Sequence, residues 1–307
     1  KITFTDIIKL INFINKNSIK IIHCHGKGAG LIGRILKLFL NIKLVFTFHG
    51  IHLDCHSLLN KYIYIIYENI FGLLDDHKVF VSEGELNYAR KKNIFIGRKY
   101  TVINNAVKSK KIRKVVNTSK DKNELLNSNE SFHQKPYIVS VCRLVDQKNI
   151  FEIFNIAKIL KDFEFNIVGG GPLYKYAKRY LRNQKIYNVY LHNSKSNVFD
   201  YLYQADVFLS TSLYEGLPIS LLESMSIGLP VVASDVVGNY NAVINGQTGF
   251  LYQLGDINMA AEKIRKIVNS STINYSLSFN SFKWQREKFS IEVMRNNYLS
   301  LYNNFKK

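Results

Sequence analysis

The stretch YEGLPISLLESMSIGLPVVASDVVG, residues 214–238, decides the fold class of this chain. It begins with one carboxylate, Glu215, and a second, Glu223, follows after seven intervening residues. The residues around Glu223 are apolar at helical spacing, Gly228 stops the pattern, and a β-branched pair follows at 231–232. This order predicts a loop, a helix, a second loop and a buried strand.

The start of that predicted helix is suited to binding an anion. Pro218 fits a first helical turn, because the N–H groups of that turn have no partners within the helix. These N–H groups and the positive end of the helix dipole attract negative charge. Glu215 lies before the helix and Glu223 one to two turns inside it, so we expect both carboxylates to face one cleft. Two solvated surface charges are the alternative.

Strand and helix patterns alternate along the whole chain. We predict strands at 20–25, 43–48, 78–82, 100–104, 137–142, 163–168, 188–191, 206–210, 231–232 and 246–251. Such alternation predicts an α/β protein with two doubly wound parallel-sheet domains. Ligands of such sheets bind beyond the carboxyl ends of the strands.

A change of composition separates the two series of strands. Residues 108–134 are polar, basic and rich in Asn and Ser, which indicates a linker. We therefore predict an N-terminal domain over 1–134 that includes this linker, and a C-terminal domain over 135–285. A last helix within 286–307 is expected to pack back on the N-terminal domain.

The chain is strongly basic, with a formal net charge of +19. Lys and Arg outnumber Asp and Glu by 22 to 10 in residues 1–130, so the first domain carries most of the excess. Such a field attracts nucleic acid, anionic lipid or phosphate-bearing substrates. The sequence has no helix-turn-helix, zinc-finger or single-strand-binding motif, so we do not expect a nucleic-acid partner.

The cysteines and the apolar runs indicate a cytoplasmic protein. The three cysteines, at 24, 55 and 142, are far apart and form no CxxC, which is typical of reduced thiols. No run of eighteen apolar residues occurs, and no signal peptide is visible. Because the chain opens at Lys1 rather than Met, we expect a fragment.

Two cations and a glycine-rich turn predict a phosphate site in the second domain. Arg143 and Lys148 follow the strand at 137–142, and the turn GGGP at 169–172 follows the next strand. Glycine allows the backbone to approach closely, and two cations facing such a turn are typical of a phosphate clamp. Solvated charges and a simple tight turn are the alternatives.

The stretch 214–238 resembles the signature of the retaining glycosyltransferases of family 4, which have the GT-B fold. That signature is E-x7-E followed by a G-x-P-V-[VI]-[AG] strand, and this chain reads E-GLPISLL-E and then GLPVVA at 228–233. The segment CRLVDQKN at 142–149 resembles the family motif G-R-L-x-x-x-K-[GN], with Cys142 where glycine is usual. The resemblance covers nearly the whole chain and implies two Rossmann-like domains facing a cleft.

The resemblance also implies a donor site for a nucleotide diphosphate sugar. Arg143 and Lys148 would hold the diphosphate, Glu223 would accept the ribose hydroxyls, and Glu215 would orient the sugar hydroxyls. The other implied donor-binding positions are in the glycine turn, at the helix start and at a strand end that contacts the base through its backbone: Gly170, Gly171, Gly216, Leu217, Pro218, His192 and Asn193.

Histidines at strand ends mark the other side of the implied site. The segment TFHG at 47–50 resembles the family segment T-x-H-[GT], whose histidine reaches the donor sugar. This makes His49, with Glu215, the implied catalytic pair, and no enzyme nucleophile is expected. His25 and His52 would line the acceptor side or be structural.

We do not predict a metal site. The histidines around residue 25 could suggest one, but we expect His23 and His25 to point to opposite faces of their strand. The pair Asp75-Asp76 is not the Asp-x-Asp of metal-using transferases.

Two departures from the family pattern fall in the first domain. The family begins with a strand and a glycine-rich loop that contacts donor and acceptor, whereas this chain starts after that point. We therefore expect a partial sequence or a truncated acceptor domain, in which case activity would be in doubt. The segment NNAV at 104–107 replaces the usual P-N-G-[VI].

The implied function is metal-independent hexosyl transfer without a cofactor. The donor would be a UDP-sugar, and the acceptor a lipid-linked or surface glycan such as O-antigen of lipopolysaccharide, capsule or exopolysaccharide. Two alternatives stay open: a GT-B sugar-nucleotide epimerase, and an inactive nucleotide-sugar-binding partner of an assembly complex.

The predicted helix at 31–40, LIGRILKLFL, has a broad apolar surface with Arg34 and Lys37 as its only charges. One interpretation is a core helix packed on the sheet. The other is that part of this face rests on an anionic membrane surface. It implies peripheral, salt-sensitive binding at the inner face of the cell membrane.

Overall fold

The computed structural model describes residues 3–53, 57–94, 97, 99–113 and 135–305. The chain divides into two compact units. The first comprises residues 1–105 and 294–307, and the second comprises residues 106–293. Each unit contains one parallel sheet, which confirms the predicted α/β class.

The first unit alternates helices and strands from its start. Its elements are α1 (Phe4–Lys16), β1 (Ile21–His25), α2 (Gly26–Phe39), β2 (Lys43–Thr47), α3 (Leu58–Phe71), β3 (His77–Phe80), α4 (Glu83–Lys91) and β4 (Tyr100–Val102). The strands pair in the order β1-β2-β3-β4, all parallel. Right-handed crossovers between neighbouring strands place α2, α3 and α4 on one face of this sheet.

Alternate strand residues supply the two cores of this unit. Leu44 and Phe46 of β2 pack into the core on the side of α3 and α4. Val45 between them lies in the opposite core, with Val79 and Leu301. Leu301 belongs to the last helix of the chain, Ile291–Asn303, which covers that second face of the sheet.

Two of the three charged residues of α2, Arg34 and Lys37, point into the unit. Arg34 is 1% exposed and donates to Glu68 at 2.7 Å and to Asp75 at 2.8 and 3.0 Å. Lys37 donates to Asp76 at 2.6 Å. Carboxylates on α3 and before β3 therefore hold both cations within the unit. Membrane contact through part of the apolar face of this helix stays a prediction.

The second unit contains a larger sheet. Its elements are β5 (Tyr137–Val141), α5 (Ile150–Ile159), β6 (Glu164–Val168), α6 (Tyr174–Asn183), β7 (Val189–His192), α7 (Phe199–Gln204), β8 (Val207–Ser210), α8 (Ile219–Ser226), β9 (Val231–Ser234), α9 (Asn239–Ala242), β10 (Gly249–Tyr252), α10 (Ile257–Val268) and α11 (Ser271–Lys288). The last helix, α12 (Ile291–Asn303), begins in this unit and belongs to the first unit from residue 294. The parallel strands lie in the order β10-β9-β8-β5-β6-β7. All ten predicted strands are present, with ends within three residues of the prediction.

The unit boundary lies earlier than the predicted one after residue 134. Val107 already bridges to Ser290, and the Arg113 N–H donates to the carbonyl of Ile227 at 2.9 Å. The Arg113 guanidinium also donates to the carbonyl of Ala205 at 2.5 Å. These bonds tie residues 106–113 to the second unit, and the rest of the predicted linker, 114–134, lies outside the described residues.

Candidate active site

The sheet of the second unit changes direction between β5 and β8. From β5 the chain proceeds to β6 and β7 on one side, and from β8 to β9 and β10 on the other. Ligands of open parallel sheets bind at such a switch point, beyond the carboxyl ends of the strands. A small pocket lies there, lined by strand ends and by the loops that follow them: Cys142, Lys148, Ser210, Thr211, Ser212, Glu215 and Ser220.

The loops after β5 and β8 are bonded to each other. Gln147 Nε2 donates to the carbonyl of Tyr214 at 2.9 Å. The Thr211 hydroxyl donates to the carbonyls of Lys148 and Asn149 at 2.9 and 3.1 Å. Asn149 adopts a left-handed conformation, with φ of 47°, and from it the chain enters α5. The two loops therefore keep a fixed spacing around the pocket.

Lys148 and Glu215 form an ion pair in this pocket. Lys148 Nζ donates to Glu215 Oε1, and the Ser212 hydroxyl donates to the same oxygen at 2.6 Å. The lysine and glutamate side chains are 18% and 8% exposed. The family resemblance implied that Lys148 holds the diphosphate and Glu215 the sugar, and the spacing of the two residues did not indicate that they are partners.

The glycine turn packs directly against the loop after β5. The Leu144 N–H donates to the carbonyl of Gly170 at 2.9 Å. Gly169 and Gly171 have φ of +147° and +154°, and a Cβ on them would lie 1.9 Å from the Cys142 carbonyl oxygen and 2.5 Å from that of Leu144. Only glycine fits so close an approach, which confirms that the loop carrying the two cations faces this turn.

Arg143 differs from Lys148 in its surroundings. Its side chain is exposed, and within the described part of the chain no carboxylate pairs with it. The two cations of the predicted clamp are therefore unequal. One is held by a carboxylate, and the other is open to solvent.

The helix α8 begins where the sequence indicated. Pro218 is its N-cap, with ψ of 121°, so it precedes the first turn instead of lying inside it as predicted. The first helical bond runs from the Leu222 N–H to the Pro218 carbonyl at 3.2 Å. Gly216 and Leu217, before the cap, are buried.

The second carboxylate of the pair, Glu223, lies on α8 and is half-buried. Burial raises the pKa of Glu223, and the nearby Lys110 opposes that rise. In contrast to Glu215, its carboxylate accepts no hydrogen bond from the residues that the structure describes. It thus retains its capacity to accept hydrogen bonds from a ligand.

The strand end predicted to meet a base lies beside the glycine turn. The His192 carbonyl accepts from the Gly169 N–H at 3.0 Å, so this group is already used within the sheet. The His192 ring contacts the Asn166 side-chain oxygen at 2.8 Å, and burial lowers its pKa. Asn193, the next residue, is exposed.

In the first unit, three histidines form one cluster at the ends of β1 and β2. His25 Nδ1 lies 2.9 Å from His49 Nε2, and the ring centroids of His23 and His25 are 4.1 Å apart. The expectation that His23 and His25 point to opposite faces is wrong, because residues two apart in a strand share a face. His23 also contacts the hydroxyls of Thr47 and Tyr302, each at 2.6 Å.

The histidine cluster is poor in charge. Burial, followed by the neighbouring His25 and His49, lowers the pKa of His23 to about 4. Burial lowers the pKa of His25. Burial and then His25 lower that of His49. Neutral rings are therefore favoured at neutral pH, and such rings both donate and accept hydrogen bonds.

The loop that carries His49 is held by a residue that the sequence analysis missed. Glu85 is 1% exposed, and its carboxylate accepts from the N–H groups of Gly50 at 2.5 Å and Val81 at 3.0 Å. Burial raises the pKa of Glu85 to about 7. The Ser-x-x-Glu spacing from Ser82 was an available signal, since it begins a helix.

The described residues contain no group of three His, Cys, Asp or Glu side chains arranged to hold a metal ion. Within the same ranges, no helix combines the length and the apolar character needed to cross a membrane. His52, named above for the acceptor side, is half-buried, and its ring lies close to Gly50.

Several known proteins are similar to this chain. A capsular polysaccharide biosynthesis glycosyltransferase of Staphylococcus aureus, CapM, is 25% identical over 98% of this chain and 81% of its own length. The UDP-Gal:alpha-D-GlcNAc-diphosphoundecaprenol alpha-1,3-galactosyltransferase of Escherichia coli is 28% identical over 87% of this chain and 71% of its own length.

Solved structures share the fold at low identity. Sucrose-phosphate synthase of Thermosynechococcus elongatus superposes with a TM-score of 0.83 at 20% identity, over 98% of this chain and 78% of that one. HepE of Anabaena, in complex with UDP and glucose, gives 0.82 at 17% identity, over 98% and 82%. The fold is GT-B, as the sequence analysis expected.

Two family models match the chain and together span most of it. Glycosyltransferase Family 4 matches residues 1–111, and Glycosyl transferases group 1 matches residues 121–284. Both family models describe glycosyltransferases, which favours sugar transfer over the epimerase alternative. The chain therefore belongs to the group 1 glycosyltransferases and is a glycosyltransferase enzyme with the GT-B fold.

Proposed function

We propose that this enzyme transfers a sugar, with retention of configuration, from a UDP-sugar to a lipid-linked glycan in surface-polysaccharide biosynthesis. The observation that carries the proposal is the Lys148–Glu215 pair at the carboxyl ends of β5 and β8, beside the glycine turn. A cation and a carboxylate at this place suit a ligand that presents both phosphates and hydroxyls.

The leaving diphosphate gains negative charge as the bond to the sugar breaks. Arg143, Lys148 and the N–H groups at the start of α8 would offset this charge, because they are positive groups near one switch point. In this proposal these groups supply the positive charge that a divalent metal ion supplies in metal-using transferases. The proposed reaction therefore uses neither metal nor cofactor.

The two carboxylates are given different tasks. Glu223 would accept the ribose hydroxyls, since its half-buried carboxylate is not already bonded by a described residue. Glu215 would orient the sugar hydroxyls through the oxygen that Lys148 and Ser212 leave unused. No enzyme nucleophile and no covalent sugar intermediate are proposed.

The first unit would contribute neutral imidazoles. His49 is proposed to hydrogen-bond the donor sugar, and the lowered pKa of its ring favours the neutral form needed to accept as well as donate. His25, which contacts His49, would fix the orientation of that ring. His25 and His52 are proposed to lie on the acceptor side.

The names of similar proteins support the substrate classes. The E. coli relative carries UDP-Gal and a diphosphoundecaprenol-linked acceptor in its name. The Anabaena structure holds UDP and glucose. The S. aureus relative is named for capsular polysaccharide biosynthesis. They support a UDP-sugar donor and a polyprenyl-diphosphate-linked acceptor.

The test is a transfer assay with the full chain. A panel of UDP-, GDP- and dTDP-sugars is combined with undecaprenyl-diphosphate-linked sugars, and mass spectrometry detects added mass. NMR of the product then gives its anomeric configuration. Transfer from a UDP-sugar with retention is expected. Inversion, or transfer from non-UDP donors alone, would overturn the proposal.

A further inference from the structure

The loop that follows β9 packs directly against Glu215. The Glu215 N–H donates to the carbonyl of Val237 at 3.1 Å. Gly238, the next residue of that loop, has φ of +88°, and a Cβ on it would lie 2.6 Å from the Cβ of Glu215 and 2.9 Å from its carbonyl carbon. Only glycine allows so close an approach at this φ. The loop after β9 therefore fixes the backbone of Glu215.

A chain of hydrogen bonds leads from the same part of the unit to the Glu215 carboxylate. The Asn239 side chain donates to the carbonyl and the hydroxyl of Ser234, at 3.0 and 3.1 Å. The Ser234 hydroxyl donates to the carbonyl of Ser212 at 2.6 Å. The Ser212 hydroxyl in turn donates to Glu215 Oε1 at 2.6 Å. Side chains at the end of β9 and the start of α9 thus hold the loop after β8.

This chain of hydrogen bonds is closed to water. Asn239 and Ser234 are 0% exposed, and Ser212 is 2% exposed. Hydrogen bonds strengthen one another in a medium of low dielectric constant, and a buried polar group that loses its partner is costly. The chain therefore favours one arrangement, in which the Ser212 hydroxyl points at the carboxylate.

The arrangement makes the two oxygens of Glu215 unequal. Oε1 accepts from the Lys148 ammonium and from the Ser212 hydroxyl. Oε2 accepts from no residue in the part of the chain that the structure describes. Each carboxylate oxygen has about two acceptor sites, so the two donors fill the first oxygen. The second oxygen keeps its capacity to bind a ligand.

We propose that Ser212 and Ser234 are positioning residues, which hold the Glu215 carboxylate so that its unused oxygen faces the transferred sugar. Lys148 cannot keep this position during the reaction, because the proposed reaction uses its ammonium on the diphosphate. The serine hydroxyls touch no substrate and remain with the protein. The inference rests on the proposed role of Glu215 and extends it to residues that act through that carboxylate.

The test compares kcat, KM and UDP affinity in variants of the full chain. Ser212→Ala should lower kcat by about tenfold, because it removes a hydrogen bond to a charged group. Ser234→Ala acts one bond further away and should lower kcat by a smaller factor. The KM for the donor and the calorimetric affinity for UDP should stay at wild-type values, since the affected contact is with the sugar in the transition state. Ser212→Thr keeps a hydroxyl and should restore most of the lost kcat.

The matched control is Ser224→Ala. The Ser224 side chain is 0% exposed, and its hydroxyl donates to the carbonyl of Leu221 at 2.7 Å, so the change removes a comparable buried bond. That bond lies within α8 and does not reach Glu215. The control should keep the wild-type kcat, and urea unfolding of each variant shows whether it is folded. Gly238→Ala, which places a methyl group against Glu215, replaces Ser212→Ala if the latter does not fold.

Two results would overturn the positioning role. One is a kcat of Ser212→Ala equal to that of the control, and the other is a UDP affinity that falls together with kcat, as expected of a general loss of structure. Glu215→Gln, measured beside them, separates this inference from the proposed function. A wild-type rate in Glu215→Gln would defeat both, whereas a lowered rate there with a normal Ser212→Ala would defeat the positioning role alone.

Discussion

Each unit of this enzyme buries one carboxylate beside a loop that carries proposed site residues, and the two are held in opposite ways. Glu215 faces the ammonium of Lys148 and the hydroxyl of Ser212. Glu85 faces backbone N–H groups, those of Gly50 and Val81. The first is balanced by a full charge and the second by partial charges.

The difference separates a site built to exchange partners from one built to hold a shape. A lysine can turn from its carboxylate to a phosphate, because its ammonium has three donors on a flexible chain. Backbone N–H groups cannot turn, so Glu85 fixes the loop around His49. Without an opposing cation, burial raises the pKa of Glu85 to about 7.

The largest expected effect is on protein stability, when the cation that pairs with Glu215 is removed. Lys148→Met leaves Glu215 buried with a hydroxyl as its remaining described partner, and we expect a stability loss of about 3 kcal/mol. Urea unfolding measures it. Removing both charged partners is often nearly neutral, so Lys148→Met with Glu215→Gln should recover most of the loss. Equal stability of the wild type and both variants would contradict the ion-pair account.

The second prediction concerns pH and the carboxylate without a cation. Because the folded state binds the Glu85 proton more tightly, its contribution to stability is full below the ordinary pKa of 4.5 and is lost as pH rises through about 7. The change amounts to roughly 3 kcal/mol at most. The difference in unfolding free energy between wild type and Glu85→Gln, followed from pH 4 to 8, isolates it from the histidines. A pH-independent difference would count against it.

The third prediction uses the exposed cation of the clamp. Arg143→Met should weaken UDP binding by about tenfold or more, since a charged hydrogen bond contributes about 1.5–3 kcal/mol. The unfolding free energy of the Arg143→Met variant should equal that of the wild type, because the Arg143 side chain is exposed and pairs with no described carboxylate. Titration calorimetry and urea unfolding give the two readouts. A stability loss equal to that of Lys148→Met would remove the distinction between the two cations.

The smallest effect is expected at Glu223. Glu223→Gln should weaken the binding of UDP by about 1 kcal/mol, because the carboxylate is proposed to make ordinary hydrogen bonds to the ribose. Glu215→Gln should leave the affinity for UDP unchanged and lower the rate of transfer, because the proposed contact of Glu215 is with the sugar. Equal affinities of both variants for UDP would show that the two roles are not divided in this way.

Much of the fold was predictable because local patterns and tertiary structure agree. The β-branched pair at 231–232 became β9, and the apolar residues around Glu223 became α8. The glycine turn at 169–172 also lies where the pattern placed it, since steric contacts with Cys142 and Leu144 demand glycine there. Local spacing carries this kind of information.

The partners of charged residues were not predictable from spacing. Lys148 and Glu215 are 67 positions apart, and they meet only because β8 pairs with β5. The partners of Arg34 were likewise not predictable, because Glu68 and Asp75 lie on later elements. Glu85 carried a helix-start signal, but its bond to Gly50 depends on the β2–β3 pairing.

The ion pair beneath α3 also acts as a rotational lock. Turning this helix by one residue, about 100°, would withdraw Glu68 from Arg34 and leave a buried charge alone, at a cost of about 3–5 kcal/mol. The outward residues take no part in that lock. Substitutions can therefore accumulate on the outer side, and adapt it to a particular environment, without changing how the helix sits on its sheet.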